Sequence, residues 1–202
     1  MYLSQLVLDC MDRQTMRTLS DVYRLHQFVM SGFSRYEERC RVLFRVEPEV
    51  RGRVMRLLVQ SQVKPAWEQS ELERKGIVKI QTKEFVPTFR QGTLYRFRLR
   101  ANPVVTREGK RYGLIRDEAL VQWLRQREDR SGASFSSVLA VDEGYLTGRK
   151  RKGEGIDRVN IKTARFEGLL KVEDPTRFVE AFSGGIGPAK GFGCGLLSLA
   201  RV

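Results

Sequence analysis

One order of strands and helices occurs twice along the chain, and this repeat constrains the fold more than any other feature of the sequence. Apolar alternation and helical spacing predict a first copy with strands at 2–8, 41–46, 54–61 and 78–82, a helix at 21–33 and a short helix after Pro65. The second copy has strands at 94–102, 111–115, 135–141 and 159–172, a helix at 117–127, and then a last helix and strand. Both copies follow the approximate order βαββαβ.

The connection between the two copies contains Pro87 and Gly92, residues that interrupt regular structure. We therefore predict an α+β protein of two tandem ferredoxin-like (RRM-like) domains, residues 1–88 and residues 93–202. RRM relatives of this fold often bind RNA through the open sheet. The fold alone does not assign a function, so the function has to come from particular residues.

The last predicted helix has clear signals at both ends. Asp174 is placed to cap it, Pro175 suits the first helical position, and Gly184 is predicted to follow its end. Phe178 and Phe182 share one face of this helix, which predicts that this face is buried.

The chain is strongly basic, with 37 Lys and Arg residues against 24 Asp and Glu residues, a net charge of +13 and a pI of about 10.1. This charge favours a polyanionic partner, with nucleic acid as the first candidate. No apolar run is long enough to span a bilayer, and no basic amphipathic helix suits a membrane surface, so we expect no membrane association. The first residues lack the features of a signal peptide, and we expect a cytoplasmic protein.

The three cysteines, Cys10, Cys40 and Cys194, are odd in number and far apart. No C-x-x-C pair occurs, so the sequence supports neither a disulfide framework nor a zinc site. We expect reduced thiols and no metal or cofactor.

The single histidine, His26, lies on the predicted helix 21–33 and follows Tyr23 by three residues. Residues at this spacing can contact one ligand together. They lie beside a predicted buried stripe that comprises Val22, Leu25, Val29 and Phe33. A lone histidine on a helix is more often a surface or half-buried residue than a catalytic one, and the spacing alone leaves both interpretations open.

Two basic stretches are candidates for phosphate contact. The strand 95–100 places Arg96, Arg98 and Arg100 on one face, although a solvated face is the commoner explanation for one such strand. The run 149–152 lies between two glycines, which predicts a mobile basic loop, and we favour phosphate contact for it because adjacent positive charges rarely stabilise a fold. The predicted RNA-binding residues of these stretches are Arg96, Arg98, Arg149, Lys150, Arg151, Lys152, Arg158 and Lys162.

The segment 184–197 is rich in glycine, which permits close backbone approach to a ligand. It lacks the Walker pattern because no Ser or Thr follows Lys190, and it lacks G-x-G-x-x-G because Lys190 occupies the last glycine position. We therefore expect no nucleotide cofactor. A tight structural turn and a loop against an RNA backbone both remain open, and the candidate RNA contacts are Gly185, Gly187, Lys190, Gly191 and Gly193.

An ordered set of short motifs runs from one end of the chain to the other: Met1-Tyr2-Leu3-Ser4, Tyr23-Arg24-Leu25-His26, Leu58-Val59-Gln60-Ser61, Phe97-Arg98-Leu99-Arg100-Ala101-Asn102-Pro103, Arg165-Phe166-Glu167-Gly168, and Gly185-Ile186-Gly187 through Lys190 to Gly193-Cys194-Gly195-Leu196-Leu197. Each motif is weak by itself. Together they resemble the CasE family, the CRISPR repeat-RNA endoribonucleases of type I-E systems within the RAMP superfamily.

This resemblance implies recognition of the repeat stem-loop in precursor crRNA, cleavage at the 3′ base of the stem without a metal ion, and retention of the crRNA within Cascade. The family's catalytic histidine falls on His26, its accompanying tyrosine on Tyr23, and its glycine-rich loop on 184–195. The chemistry needs no metal-bound water, since a 2′-hydroxyl can attack the adjacent phosphate and leave a 2′,3′-cyclic phosphate. His26 can act as the general base or as the general acid, and the sequence does not decide between them.

Two alternative functions compete with this interpretation. The first is a non-catalytic RNA-binding subunit of a ribonucleoprotein complex, in which His26 only stacks or packs. The second is a sequence-specific DNA-binding protein, which would explain the charge but not the order of strands and helices.

Overall fold

The computed structural model of the chain describes residues 1–34, 40–48, 53–69, 76–152 and 155–202, with side-chain positions for all of these except 48, 69, 151 and 152. The strands are β1 (Tyr2–Asp9), β2 (Val42–Pro48), β3 (Val54–Ser61), β4 (Ile77–Glu84), β5 (Leu94–Ala101), β6 (Val104–Arg107), β7 (Lys110–Gly113), β8 (Ala133–Lys152), β9 (Gly155–Val172) and β10 (Leu197–Arg201). The α-helices are α1 (Arg13–Leu19), α2 (Val22–Ser31), α3 (Asp117–Arg125), α4 (Glu128–Ser131) and α5 (Pro175–Gly184).

The first sheet has the strand order β2-β3-β1-β4, and its neighbouring strands are antiparallel. Alternate residues of β1 point to one face, which helix α2 covers. The core between this face and the helix includes Leu6, Phe44, Leu57, Leu25 and Val29. Burying such side chains stabilises the fold by roughly 1.5–3 kcal/mol each, so the position of α2 on the sheet is strongly determined.

The second sheet has the strand order β10-β5-β9-β8. On β5, Phe97 and Leu99 are buried whereas Arg96 and Arg98 are exposed, as the alternation in the sequence predicts. Helices α3 and α5 contribute the buried residues Trp123 and Phe178 to the core of this half.

The two sheets have the same topology. In each, the first and third strands of the repeat are central and the second and fourth are at the edges, which is the ferredoxin-like arrangement. The predicted α+β class with two ferredoxin-like folds is therefore confirmed.

The chain forms two compact units. One comprises Met1–Val86, Leu146–Asn160 and Gly191–Gly193, and the other comprises Pro87–Tyr145, Ile161–Lys190 and Cys194–Val202. The predicted domain limits, 1–88 and 93–202, follow chain order alone and stay a prediction.

The structure corrects the prediction of a mobile basic loop at residues 149–152. Strand β8 continues through Lys152 and is adjacent to β9 in the sheet. Backbone pairing between strands does not depend on apolar side chains, so charged residues are tolerated where a strand is exposed. Arg149 and Lys150 are exposed on β8, and nothing is described for the side chains of Arg151 and Lys152.

Smaller differences concern individual elements and their boundaries. Helix α1 was not predicted; its start depends on Asp12, which accepts a 2.7 Å hydrogen bond from the Thr15 backbone N–H. The predicted strand 111–115 corresponds to β7, which pairs only with β6 in a separate two-stranded sheet.

A 3-10 turn at Trp67–Gln69 follows Pro65, and the rest of that predicted helix lies outside the described residues. Gly184 is the last residue of α5 rather than the residue after it, because the positive φ that ends the helix falls on Gly185.

Candidate active site

Helix α2 carries both predicted catalytic residues and is fixed at its start by Asp21. The Asp21 Oδ1 atom accepts hydrogen bonds from the backbone N–H groups of Tyr23 at 2.9 Å and Arg24 at 3.1 Å. This is an N-cap, which satisfies donors that the helix itself leaves free. The predicted stripe is buried together with Phe28, so the helix presents Tyr23 and His26 beside its buried face.

His26 is half-buried between two aromatic rings. Its ring centroid lies 6.3 Å from that of Tyr23 and 5.7 Å from that of Phe192. The backbone of Gly191 is close enough that a Cβ atom there would lie 3.5 Å from Nδ1 of His26. Nδ1 is buried and has no hydrogen-bond partner among the described residues.

The surroundings of His26 lower its pKa below the ordinary 6.5. Burial is the main cause because it disfavours the charged imidazolium, and the positive charge of Lys150 acts in the same direction. The Gly191 backbone has the opposite effect and raises the pKa of His26. A neutral imidazole is therefore favoured near pH 7, which suits an acceptor of protons.

Strand β8 contacts the start of helix α2 through its backbone. The N–H of Arg149 donates a 3.1 Å hydrogen bond to Oδ2 of Asp21. Gly148 allows this approach, because a Cβ atom there would lie only 2.8 Å from both Asp21 Oδ1 and the Tyr23 nitrogen. Nζ of Lys150 lies 5.8 Å from the centroid of the Tyr23 ring. The basic run thus reaches the predicted catalytic helix.

The remaining basic candidates differ in their surroundings. Arg158 is exposed on β9, and Arg96 is exposed on β5. Arg98 is also exposed but forms an ion pair with Glu167 at 2.7 Å. Lys162 is buried, and its ammonium lies 2.6 Å from Asp142, whose pKa is lowered by that hydrogen bond. A structural ion pair explains Lys162, and its predicted contact with RNA stays a prediction.

The structure explains why several positions of the 184–195 segment are glycine. Gly187 and Gly193 have φ values of +85° and +81°, which disfavour other residues. A Cβ on Gly187 would lie 2.9 Å from the Trp123 ring, and one on Gly193 would lie 3.3 Å from the Phe44 ring. These facts support the structural-turn interpretation for these two positions. The RNA contacts predicted for Gly185, Gly187, Lys190, Gly191 and Gly193 stay predictions.

The sequence did not identify Phe192, Arg17 or Arg24 as site residues. Phe192 contacts His26 across a long stretch of chain, and no local pattern distinguishes it from the other phenylalanines. Arg17 and Arg24 are exposed residues of α1 and α2, and their grouping depends on how these helices meet β8. The basic charge of the chain was the only signal, and it did not point to these two residues.

The structure offers no sign of a metal site or a reactive thiol in the residues that it describes. No group of three or more His, Cys, Asp or Glu residues in the described ranges is arranged to hold a metal ion. The three cysteines are free, and burial raises the pKa of Cys194 to about 12. None of the helices in the described ranges is long and apolar enough to cross a membrane.

Comparisons with known proteins cover nearly the whole chain. The family described as CRISPR associated protein matches residues 1–201. The CRISPR-associated endoribonuclease Cse3 of Thermus thermophilus is 34% identical over 99% of this chain and 100% of its own length. The CRISPR system Cascade subunit CasE of Escherichia coli is 32% identical over 90% of this chain and 93% of its own length.

A solved structure also resembles this fold. The structure of Thermus thermophilus Cse3 bound to an RNA representing a pre-cleavage complex has a TM-score of 0.87 and 31% identity, with coverage of 99% of this chain and 98% of that chain. Sequence and fold agree along the full length, so the chain belongs to the family of CRISPR-associated proteins that includes Cse3 and CasE.

Proposed function

We propose that this protein is an endoribonuclease that binds the CRISPR repeat stem-loop in precursor crRNA and cleaves it at the 3′ base of the stem. The observation that carries this proposal is the site on α2, where a half-buried His26 with a lowered pKa lies beside Tyr23 and the basic strand β8. The relatives support it, since one is named an endoribonuclease and has been solved bound to RNA, and another is a Cascade subunit.

The reaction uses the RNA's own 2′-hydroxyl as the nucleophile. The 2′-oxygen bonds to the adjacent phosphorus while the bond from phosphorus to the 5′-oxygen breaks. His26 accepts the 2′ proton through Nε2, since Nδ1 is buried, and the 5′-oxygen leaves as a hydroxyl after it takes a proton from water. The products are a 2′,3′-cyclic phosphate and a 5′-hydroxyl. The lowered pKa of His26 favours this role as general base over that of general acid.

Tyr23 and Lys150 assist this step in different ways. Tyr23 orients the reacting group through a hydrogen bond from its phenol O–H. Lys150, on the strand beside Tyr23, offsets the negative charge that builds up on the phosphate in the transition state. No step in this scheme needs a metal ion.

Specificity comes mainly from the shape of the hairpin. A-form RNA hides its base edges in a deep and narrow groove, so basic residues contact phosphates while unpaired flanking bases supply sequence selection. Arg149, Lys150 and Arg158 carry this contact, with Arg151 and Lys152 continuing the basic run along β8. The further RNA contacts that we propose in residues 93–202 are Arg96, Arg98, Gly185, Gly187, Lys190, Gly191 and Gly193.

After cleavage the protein retains the crRNA and takes its place among the other subunits of Cascade, and its working location is the cytoplasm. Residues 1–88 carry the catalytic helix in this scheme. The expected partners are thus one RNA and several protein subunits, with no small-molecule cofactor.

The test is cleavage of a labelled repeat hairpin and of the same hairpin with a single 2′-deoxy group at the expected cut. The proposal predicts that only the unmodified RNA is cut, that its upstream product ends in a cyclic phosphate, and that both RNAs bind equally. If the protein binds both hairpins but cuts neither, with or without added divalent cations, it is a non-catalytic RNA-binding subunit. Equal affinity for DNA and RNA hairpins would instead favour a DNA-binding protein.

A further inference from the structure

A polar cleft of about 780 Å³ lies where helices α1 and α2 meet strands β8 and β9. Four arginines line it: Arg17, Arg24, Arg149 and Arg158. Arg17, Arg24 and Arg149 also line an adjoining cleft that extends to Tyr23. Three of the four arginines therefore line a cleft that reaches the proposed cleavage site.

The carboxylate of Asp21 in this cleft already accepts hydrogen bonds from the backbone. Among the described residues that line the cleft, Asp21 is the one acidic residue, and its carboxylate accepts hydrogen bonds from the backbone N–H groups of Tyr23, Arg24 and Arg149. It therefore serves as a helix cap and not as a counterion for a guanidinium. The cleft as a whole retains a strong positive charge.

The four guanidinium groups are exposed, and in the described part of the chain none of them forms an ion pair with a carboxylate. Some arginines elsewhere do have a carboxylate partner, since Arg98 is paired with Glu167 and Arg177 with Asp129. Four guanidinium groups around one cleft, none paired with a described carboxylate, repel each other, and an anion with several charges would relieve that repulsion.

The lining of the cleft indicates which anion. Arginine binds phosphate oxygens through its planar set of N–H donors. Among the described residues that line the cleft with all four arginines, none is aromatic and could stack on a base, so this cleft suits a sugar-phosphate backbone better than a nucleobase. The adjoining cleft extends to Tyr23. An RNA backbone bound in the two clefts would therefore lie next to the scissile phosphate.

We propose that Arg17 and Arg24, together with Arg149 and Arg158, form a phosphate-binding cleft that holds the RNA strand next to the cleavage site. This inference rests on the proposed function and adds two residues from α1 and α2 to the RNA-binding surface. Arg24 is the only Lys or Arg on helix α2, so it is the cation that the catalytic helix itself supplies.

The experiment measures binding of the uncleavable 2′-deoxy hairpin as a function of salt concentration for the Arg17→Gln/Arg24→Gln double variant. A matched control is Arg125→Gln/Arg201→Gln, which removes the same charge at two exposed positions far from the cleft in sequence. The cleft variant should bind about tenfold or more weakly at low salt, and its log-log salt slope should fall by roughly 0.7 to 0.9 for each phosphate contact that is lost. The control should keep the slope of the unmodified protein.

A second measurement locates the contact on the RNA. Uncharged methylphosphonate linkages placed one at a time along the hairpin should weaken binding to the unmodified protein at linkages next to the cut. The same linkages should have little further effect on the double variant, because the interaction is already absent. Arg17→Lys/Arg24→Lys should restore part of the slope.

The inference is overturned if the double variant keeps the slope and the methylphosphonate pattern of the unmodified protein while that protein binds and cuts the hairpin. That result would leave the proposed function intact. Failure of the unmodified protein to bind or cut the hairpin at all would instead refute the proposed function. Both arginines are exposed, so near-native thermal unfolding of the variant is expected and is checked alongside.

Discussion

The backbone N–H of Arg149 donates a hydrogen bond to Asp21, the same carboxylate that caps helix α2. One side chain thus joins the strand with the basic run to the helix with Tyr23 and His26. In our account this link holds the phosphate-binding residues at a fixed distance from the reacting groups, so changes to it should affect RNA cleavage as well as stability.

Asp21→Ala should lower the free energy of unfolding by about 1 kcal/mol, the usual cost of losing an N-cap, and should also weaken RNA binding. Asp174→Ala is the matched control, because Asp174 caps α5 with hydrogen bonds to the N–H groups of Thr176 and Arg177. Urea unfolding should show similar losses for both variants, whereas hairpin affinity should fall only for Asp21→Ala. Equal effects on affinity would mean that the link between β8 and α2 has no functional role.

Gly148→Ala should destabilise the first compact unit and reduce cleavage, since the added methyl group would lie 2.8 Å from Asp21 Oδ1 and from the Tyr23 nitrogen. The backbone cannot accommodate this contact without moving β8 away from α2. Gly184→Ala serves as the control because no atom of the described residues lies within 4 Å of its added methyl group. Thermal unfolding and single-turnover cleavage should both distinguish the two variants, and a Gly148→Ala protein with normal values for both would contradict the packing described.

The chain contains one histidine, so its titration can be followed by NMR without assignment of other imidazoles. We expect the His26 ring protons to titrate with a midpoint below 6.5, chiefly because of burial. Lys150→Gln should move that midpoint upwards, since it removes a positive charge that disfavours the imidazolium. A midpoint above 6.5 would contradict the environment that the structure gives this residue.

The same shift predicts how stability depends on pH. Because the pKa of His26 is lower in the folded chain than in the unfolded chain, the unfolded state binds more protons between the two values. The free energy of unfolding should therefore fall as the pH drops from above 6.5 towards the folded-state pKa. At pH values above this range, the titration of His26 should not affect stability. His26→Gln should lack this part of the pH dependence. Urea unfolding between about pH 5 and about pH 8 measures the difference.

Tyr23→Phe should slow single-turnover cleavage by about ten- to a hundredfold while hairpin affinity changes little, because it removes one hydrogen bond to the reacting group and keeps the ring. Full cleavage activity in this variant would remove the orienting role of Tyr23.

Local patterns in the sequence predicted the parts of the site that lie on one element. The alternation of β5 and the buried stripe of α2 depend on neighbouring residues, so they could be predicted together with the positions of Tyr23 and His26. Both ferredoxin-like sheets followed from the order of such elements.

Contacts between distant segments could not be predicted in this way. The length of β8 was underestimated because its basic end carries no apolar alternation, yet pairing with β9 satisfies its backbone. Lys162 was predicted to contact RNA as part of a basic stretch, whereas its burial depends on a partner, Asp142, from another strand. The neighbourhood of Phe192 and His26 likewise exists only in the folded chain.

In the proposed mechanism, His26 moves the proton of the 2′-hydroxyl in a reaction without a metal ion. The most direct measurement is single-turnover cleavage of the repeat hairpin in excess EDTA by the unmodified protein and by His26→Ala, with and without added imidazole. We predict full activity of the unmodified protein in EDTA, a loss of about 10²- to 10⁴-fold for His26→Ala with hairpin binding retained, and partial rescue by imidazole. Normal cleavage by His26→Ala, or loss of all activity of the unmodified protein in EDTA, would rule out this mechanism.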